Sequence, residues 1–163
     1  MKALSIQHPW AWLITNGHKD VENRDWYTSY RGFLLIHAGK QMDKNIDWSH
    51  FTLEGVAMPA TRDYECGGIV GYATLKSVVT ADHSPRSPWF RGVYGFVLTQ
   101  RRTVPFIPLR GQLGLFDVPA EVEAQINEIR EQRFHDAEMR EQYQIAREWE
   151  AYRHEGDETP PWK

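Results

Sequence analysis

The stretch HPWAWLITNGHKDVENRDWYTSYRGFLLIHAG, residues 8–39, holds a helix, a corner and two strands in immediate succession. Pro9 suits the first helical position, where a missing N–H does no harm. Trp10, Leu13 and Ile14 then fall at i, i+3 and i+4 on one face, and Gly17 is a natural stop. KDVENRDW, residues 19–26, is a short charged strand. RGFLLIHA, residues 31–38, is a continuous apolar run of the kind buried on both faces of a sheet. Ahead of the helix, ALSI at 3–6 adds another short strand.

Outward from this opening, residues 39–66 are irregular, with part of 43–54 open to a helical reading. GGIVGYATLKSVV, residues 67–79, is a long strand whose paired glycines allow a bulge or a close backbone approach. ADHSPRSPWFRG, residues 81–92, is a loop. VYGFVLTQRRTVPFIPL at 93–109 gives one strand and a candidate edge strand, because Pro105 and Pro108 bar a central place. RGQLGLFDV, residues 110–118, closes the body. Several short strands and one early helix predict an α+β fold, a small curled β-barrel with flanking helices. Val21, Leu34, Leu35, Ile36, Ile69, Val70, Phe96, Val97 and Leu98 are its expected core.

The character changes at Pro119. Val122, Ile126 and Ile129 repeat at helical spacing, as do Met139, Tyr143 and Ala146, with the phase broken at RFHDAE, residues 133–138. Two helices and one bent helix both fit. The expectation is therefore a body at 1–118 and an acidic helical extension at 119–163, packed on the body and frayed over HEGDETPPWK.

A length of 163 residues suits one domain with an appendage. Cys66 is the single cysteine, which excludes an internal disulfide and a cysteine-rich zinc site. Histidines 8, 18, 37, 50, 83, 135 and 154 have no ligand spacing, so neither metal nor cofactor is expected. The start MKALSIQHPW has no signal-peptide core and no apolar run reaches membrane-spanning length; a cytoplasmic protein with no membrane partner is expected. The net charge of −3 is unevenly spread. Residues 121–163 hold twelve acids and six bases, a charge of −6, whereas residues 1–120 hold ten acids and thirteen bases, a charge of +3. Histidine protonation below about pH 6.5 would raise the charge of the body. A mildly basic body permits a phosphate-bearing partner.

Within 19–26 the alternation of a strand puts Glu22 and Arg24 on one face as neighbours, with Lys19 at the corner, free to swing to either side. Two readings fit: an exposed ion pair worth about 0–1 kcal/mol, or charges gathered around a ligand. The aromatics are a second set. Trp10 is expected in the core, and Trp12 lies off the apolar face of its helix. Trp89 and Phe90 stand on a loop, with Tyr94 just beyond, placed either to lid the barrel or to stack on a planar ligand. The third set is basic: Lys40, Lys44, Arg86, Arg91, Arg101, Arg102 and Arg110, a phosphate track if they converge.

The opening resembles that of ASCH domains, whose pattern is roughly S-x-x-P-W-A, then G-x-K-x-x-E-x-R, then Y/H-R-G before an apolar strand. Ser5, Pro9, Trp10 and Ala11 meet the first part; Gly17, Lys19, Glu22 and Arg24 the second; Tyr30, Arg31 and Gly32 the third. GGIVGYATL, GVYGFVL and GQLGLFDV look like later strands of the family, so the likeness covers residues 1–118. It implies a PUA-like fold with a cleft lined by Trp10, Lys19, Glu22 and Arg24, and RNA or a modified nucleoside as ligand. One branch of that superfamily cleaves N4-acetylcytidine and has a threonine nucleophile, activated by the lysine, where this chain has Glu22. A carboxylate cannot supply that alkoxide but can act as a base on water. RNA or nucleoside binding is thus expected first. Hydrolysis of an acylated nucleoside or of RNA, through Lys19 and Glu22, comes second. A protein-interaction role for the C-terminal helices comes third, and the oligomeric state stays open.

Overall fold

A computed structural model describes residues 1–46, 48, 53–83 and 87–154, with residues 149–154 as backbone only. Arg86, His50, residues 155–163, and residues 47 and 49–52 of the stretch 43–54 open to a helical reading, lie outside the described residues; residues 43–46 are not helical. The chain divides into a unit at 1–119 and a unit at 120–163.

The first unit is a mixed sheet of six strands plus one short helix, an α+β fold. In chain order the strands are β1 (Lys2–His8), β2 (Val21–Arg24), β3 (Gly32–Met42), β4 (Gly68–Val79), β5 (Tyr94–Pro108) and β6 (Leu115–Asp117), with α1 (Trp10–Thr15) after β1. The spatial order is β2-β5-β4-β3-β1-β6. β1 and β3 run parallel, and the other neighbours are antiparallel. The two expected segments of 93–109 are one strand. Only Gly95–Val97 is paired on both sides, with β2 and β4, so Pro105 and Pro108 sit where β5 has become an edge.

Closure differs from a true barrel, because β2 and β6 are edges with no ladder between them. A side chain spans the gap instead. Arg24 of β2 donates from Nη2 to the Ser5 carbonyl of β1 at 2.7 Å, just past Leu4, where the pairing of β6 with β1 ends. In a flat sheet four strand spacings of about 4.8 Å would separate β2 from β1. An arginine cannot cross that distance, so the sheet must curl until its ends meet.

Strand alternation divides the expected core in two. Leu34, Ile36, Val70, Phe96 and Leu98 pack with Leu4, Ile6 and the α1 residues Ala11 and Ile14. Val21 instead packs with Leu13 and Trp89, and the half-buried Val97 joins that second cluster. Leu35 and Ile69 are buried as expected. β3 is buried from Leu34 through Ala38, as its unbroken apolar run requires.

α1 begins one residue later than expected, with Pro9 at the N-cap. Its end follows from Gly17, whose φ of 87° is left-handed. Gly17 N–H donates to the Ile14 carbonyl at 3.0 Å and His18 N–H to the Leu13 carbonyl at 2.8 Å, the paired bonds of a Schellman motif. Lys19 N–H reaches the same Leu13 carbonyl at 3.0 Å, so the corner carries Lys19 in a set direction. Trp12, off the apolar face, stacks on His18 with centroids 5.5 Å apart.

The second unit is one continuous helix, α2 (Ala120–His154), which runs through the phase break at 133–138. Val122 and Ile126 are buried, whereas Met139 and Tyr143 of the second repeat are exposed. Among the described residues no helix is long and apolar enough to cross a membrane.

Candidate functional site

The helix corner and β2 together build a row of charges. Lys19 is 3% exposed and Glu22 8%. Lys19 Nζ lies 2.6 Å from Glu22 Oε2 and also donates to the Val21 carbonyl. Arg24 Nη2 lies 3.2 Å from Glu22 Oε1. One carboxylate thus joins two cations, and the exposed-pair reading does not fit, because Lys19 and Glu22 are out of water. Burial pushes the Lys19 pKa down, against the pull of Glu22, which raises it.

Aromatic rings stand over this row. Lys19 Nζ is 5.7 Å from the Trp10 ring centroid, within cation–π range. Trp10 Nε1 donates to Asp43 Oδ2 at 2.9 Å, which fixes the indole. Trp89 meets Trp10 edge to face at 6.3 Å. The loop that carries Trp89 is fastened to the β2 side by its own bonds. Ser87 Oγ donates to Asp20 Oδ1 at 2.5 Å. Asn23 Nδ2 donates to the Trp89 carbonyl at 2.8 Å, and its Oδ1 accepts from Arg91 N–H at 2.7 Å.

Trp10, Lys19, Glu22, Asn23, Trp89 and Arg91 enclose a cleft of about 230 Å³. That is below the roughly 300–1,000 Å³ usual for drug-sized ligands. Four residues expected from sequence therefore converge: Trp10, Lys19, Glu22 and Trp89. Three do not line the cleft. Arg24 lies behind Glu22 and ties it to β1. Phe90 packs with Leu13, Val21 and Trp89. Tyr94 meets Tyr27 edge to face at 5.8 Å and packs on the main core. Trp10, expected in the core, is half-buried and forms a wall.

Asn23 is a lining residue with no assigned role in the sequence reading, and it had a usable signal: asparagine is depleted in strands, and one beside the buried Val21 needs a partner for its amide. Arg91 was expected only as a member of the basic set, and among the described residues it is the one member of that set lining this cleft. Among the described residues no group of histidine, cysteine, aspartate or glutamate could hold a metal ion. His8 is buried, and burial lowers its pKa against a 3.0 Å bond between Nε2 and the Glu65 carbonyl. It therefore adds less charge to the body near pH 6.5 than an ordinary histidine would.

Comparison with known proteins places this geometry in a family. The model of the ASCH domain matches residues 4–93, more than half of the chain. The chain belongs to the ASCH domain family. It is 35% identical over 77 residues to human Activating signal cointegrator 1, covering 44% of this chain and 13% of that protein. The mouse protein of the same name is 38% identical over 77 residues, again covering 44% and 13%. The chain thus spans about an eighth of the length of these relatives. Among solved structures, ASCH from Zymomonas mobilis is similar at 15% identity with a TM-score of 0.47, covering 78% of this chain and 94% of that one. A tyrosine-to-phenylalanine mutant of that protein is similar at 15% identity and 0.48, covering 78% and 96%. Lys19, Glu22 and Arg24, the members of the ionic row, all fall within the matched span.

Proposed function

We propose that this ASCH domain binds RNA, or a modified nucleoside within it, with one base held in the Trp10–Trp89 cleft. The observation that carries the reading is the buried Lys19–Glu22 pair, joined by the half-buried Arg24, in a cleft walled by Trp10 and Trp89. A base stacked on the Trp10 face gains about 1–3 kcal/mol. The Glu22 carboxylate accepts from an exocyclic amino group, and Lys19 and Arg91 meet a carbonyl or a phosphate. A labelled single-stranded RNA titrated against wild type, Lys19→Ala, Arg24→Ala and Arg91→Ala tests this. All three variants should bind more weakly, each checked for folding by its melting temperature. Arg91 is exposed, so its loss should not disturb the core. Unchanged affinity in folded variants removes the site.

A second reading, hydrolysis, draws on a specific observation: burial lowers the Lys19 pKa, as a lysine acting as base or proton donor near neutrality requires. It ranks second because Glu22 occupies the threonine position of the N4-acetylcytidine hydrolases, and a carboxylate cannot supply that alkoxide. The wild type and Glu22→Gln are incubated with N4-acetylcytidine and with mixed RNA, following acetate release and chain cleavage. Turnover by the wild type that vanishes in a folded Glu22→Gln reverses the ranking.

A further inference from the structure

A second cleft, of about 390 Å³, shares no lining residue with the first. Its floor is a rigid pair. His37 Nε2 lies 2.9 Å from the Leu109 carbonyl, an acceptor, so this ring nitrogen donates. Ser5 Oγ donates to the Gln112 carbonyl at 3.2 Å and lies 3.1 Å from His37 Nδ1. The backbone of Gly111 lies directly on the pair. A Cβ there would come within 2.5 Å of His37 Cε1 and 2.6 Å of Ser5 Oγ, so only glycine fits. The β5–β6 loop is thereby clamped against β1 and β3.

The clamp presents Arg110 and Leu113 at the rim opposite Lys40. Leu113 is 99% exposed, an apolar tip with no packing role. The lining contains two cations, Lys40 and Arg110, and no carboxylate. Lys40 also lines an adjoining groove with Asp43 and Lys44. The Asp43 carboxylate is already engaged, Oδ2 by Trp10 Nε1 at 2.9 Å and Oδ1 by Asn45 N–H at 3.0 Å. Through Trp10, Asp43 and Lys40, shared side chains and one hydrogen bond link the first cleft to the groove and the groove to the second cleft.

We propose that the second cleft is a further nucleotide subsite for the same single strand of RNA. The sugar–phosphate chain of a strand whose base sits between Trp10 and Trp89 passes Lys44 and Lys40 and enters between Lys40 and Arg110. There two phosphates meet the cations and an unstacked base packs on Leu113. Spaced cations along a polar groove, with a single apolar tip, match a polyanion with intermittent flat surfaces; a membrane or a protein core would meet a broad apolar patch. This rests on the base-binding reading of the first cleft.

The test compares the four ribonucleosides with a labelled mixed-sequence oligoribonucleotide of about ten nucleotides, within the span of small single-strand sites. The proteins are the full chain and its Lys40→Ala/Arg110→Ala and Leu113→Ser variants, all at exposed positions. The double variant should keep wild-type nucleoside affinity. Its slope of log affinity against log salt for the oligonucleotide should fall by about 1.4, at about 0.7 per lost phosphate contact. Leu113→Ser should weaken the oligonucleotide without changing the slope. A wild-type slope in the double variant, with nucleosides still bound, overturns the subsite and leaves the base cleft standing. Equal loss of nucleoside affinity shows that the two clefts are not separate subsites and also overturns it. A wild type that binds neither probe removes both readings.

Discussion

At the residue scale, Lys19 and Glu22 form a buried ion pair. Lys19 is 3% exposed, and the Glu22 carboxylate 2.6 Å away favours its charged form against burial. Removing one member of a buried pair costs about 3–5 kcal/mol, since the other is left without compensation. Glu22→Gln should therefore lower the melting temperature substantially, and the loss should depend on pH. Burial holds the folded pKa of Lys19 below its ordinary value of about 10.4. Between the two pKa values the unfolded chain binds more protons than the folded one, so stability rises with pH across that window and falls as pH drops through it. Glu22 raises the Lys19 pKa, so its loss widens the window downward. Melting curves of wild type and variant from neutral to alkaline pH should show the variant regaining more stability on the alkaline side. A constant gap between the two would mean that Lys19 stays equally charged in both.

At the scale of elements, the cleft depends on the clip between β2 and the loop carrying Trp89. Asn23→Ala removes two bonds, each worth about 0.5–1.5 kcal/mol, and should cost about 1–3 kcal/mol in stability. Its particular signature is local: hydrogen exchange at the Arg91 amide should speed up, while the β3 and β4 amides slow or speed only with global stability. Asn23→Asp keeps the acceptor for Arg91 N–H but not the donor to the Trp89 carbonyl, and should protect that amide better than Asn23→Ala. Equal exchange in both would mean that the clip does not hold the loop. What the sequence made legible follows the same boundary between local and distant. Gly17 and the spacing of Leu13 and Ile14 marked α1 and its end, and strand alternation made Glu22 and Arg24 neighbours. The direction of Lys19 required the Schellman bonds, which spacing alone does not specify. The bonds of Asn23 to residues 89 and 91 and of Arg24 to Ser5 join segments distant in sequence, and so do the sheet edges that leave the barrel open. Trp89 and Phe90 are adjacent in sequence and pack in one cluster with Leu13 and Val21, yet only Trp89 lines the cleft.

At the scale of the molecule, charge is divided between the two units. Residues 1–120 carry +3 and residues 121–163 carry −6. A polyanion drawn to the body is repelled by the acidic unit wherever the two come within about a Debye length, near 10 Å at 0.1 M salt and longer in more dilute buffer. Glu128, Glu131, Glu138 and Glu141 are exposed on α2. Replacing all four with glutamine preserves helix propensity and moves the formal net charge from −3 to +1. Single-stranded RNA should then bind more tightly than to wild type at low ionic strength, mainly through faster association, and the two affinities should converge as salt is raised. Exposed charges make the effect a screened one, so its size should follow ionic strength and not RNA sequence. Stopped-flow association rates at several salt concentrations separate this from a direct contact. A gain that persists at high salt would mean that these carboxylates touch the ligand. No gain at low salt would mean that the field of α2 does not reach the bound strand.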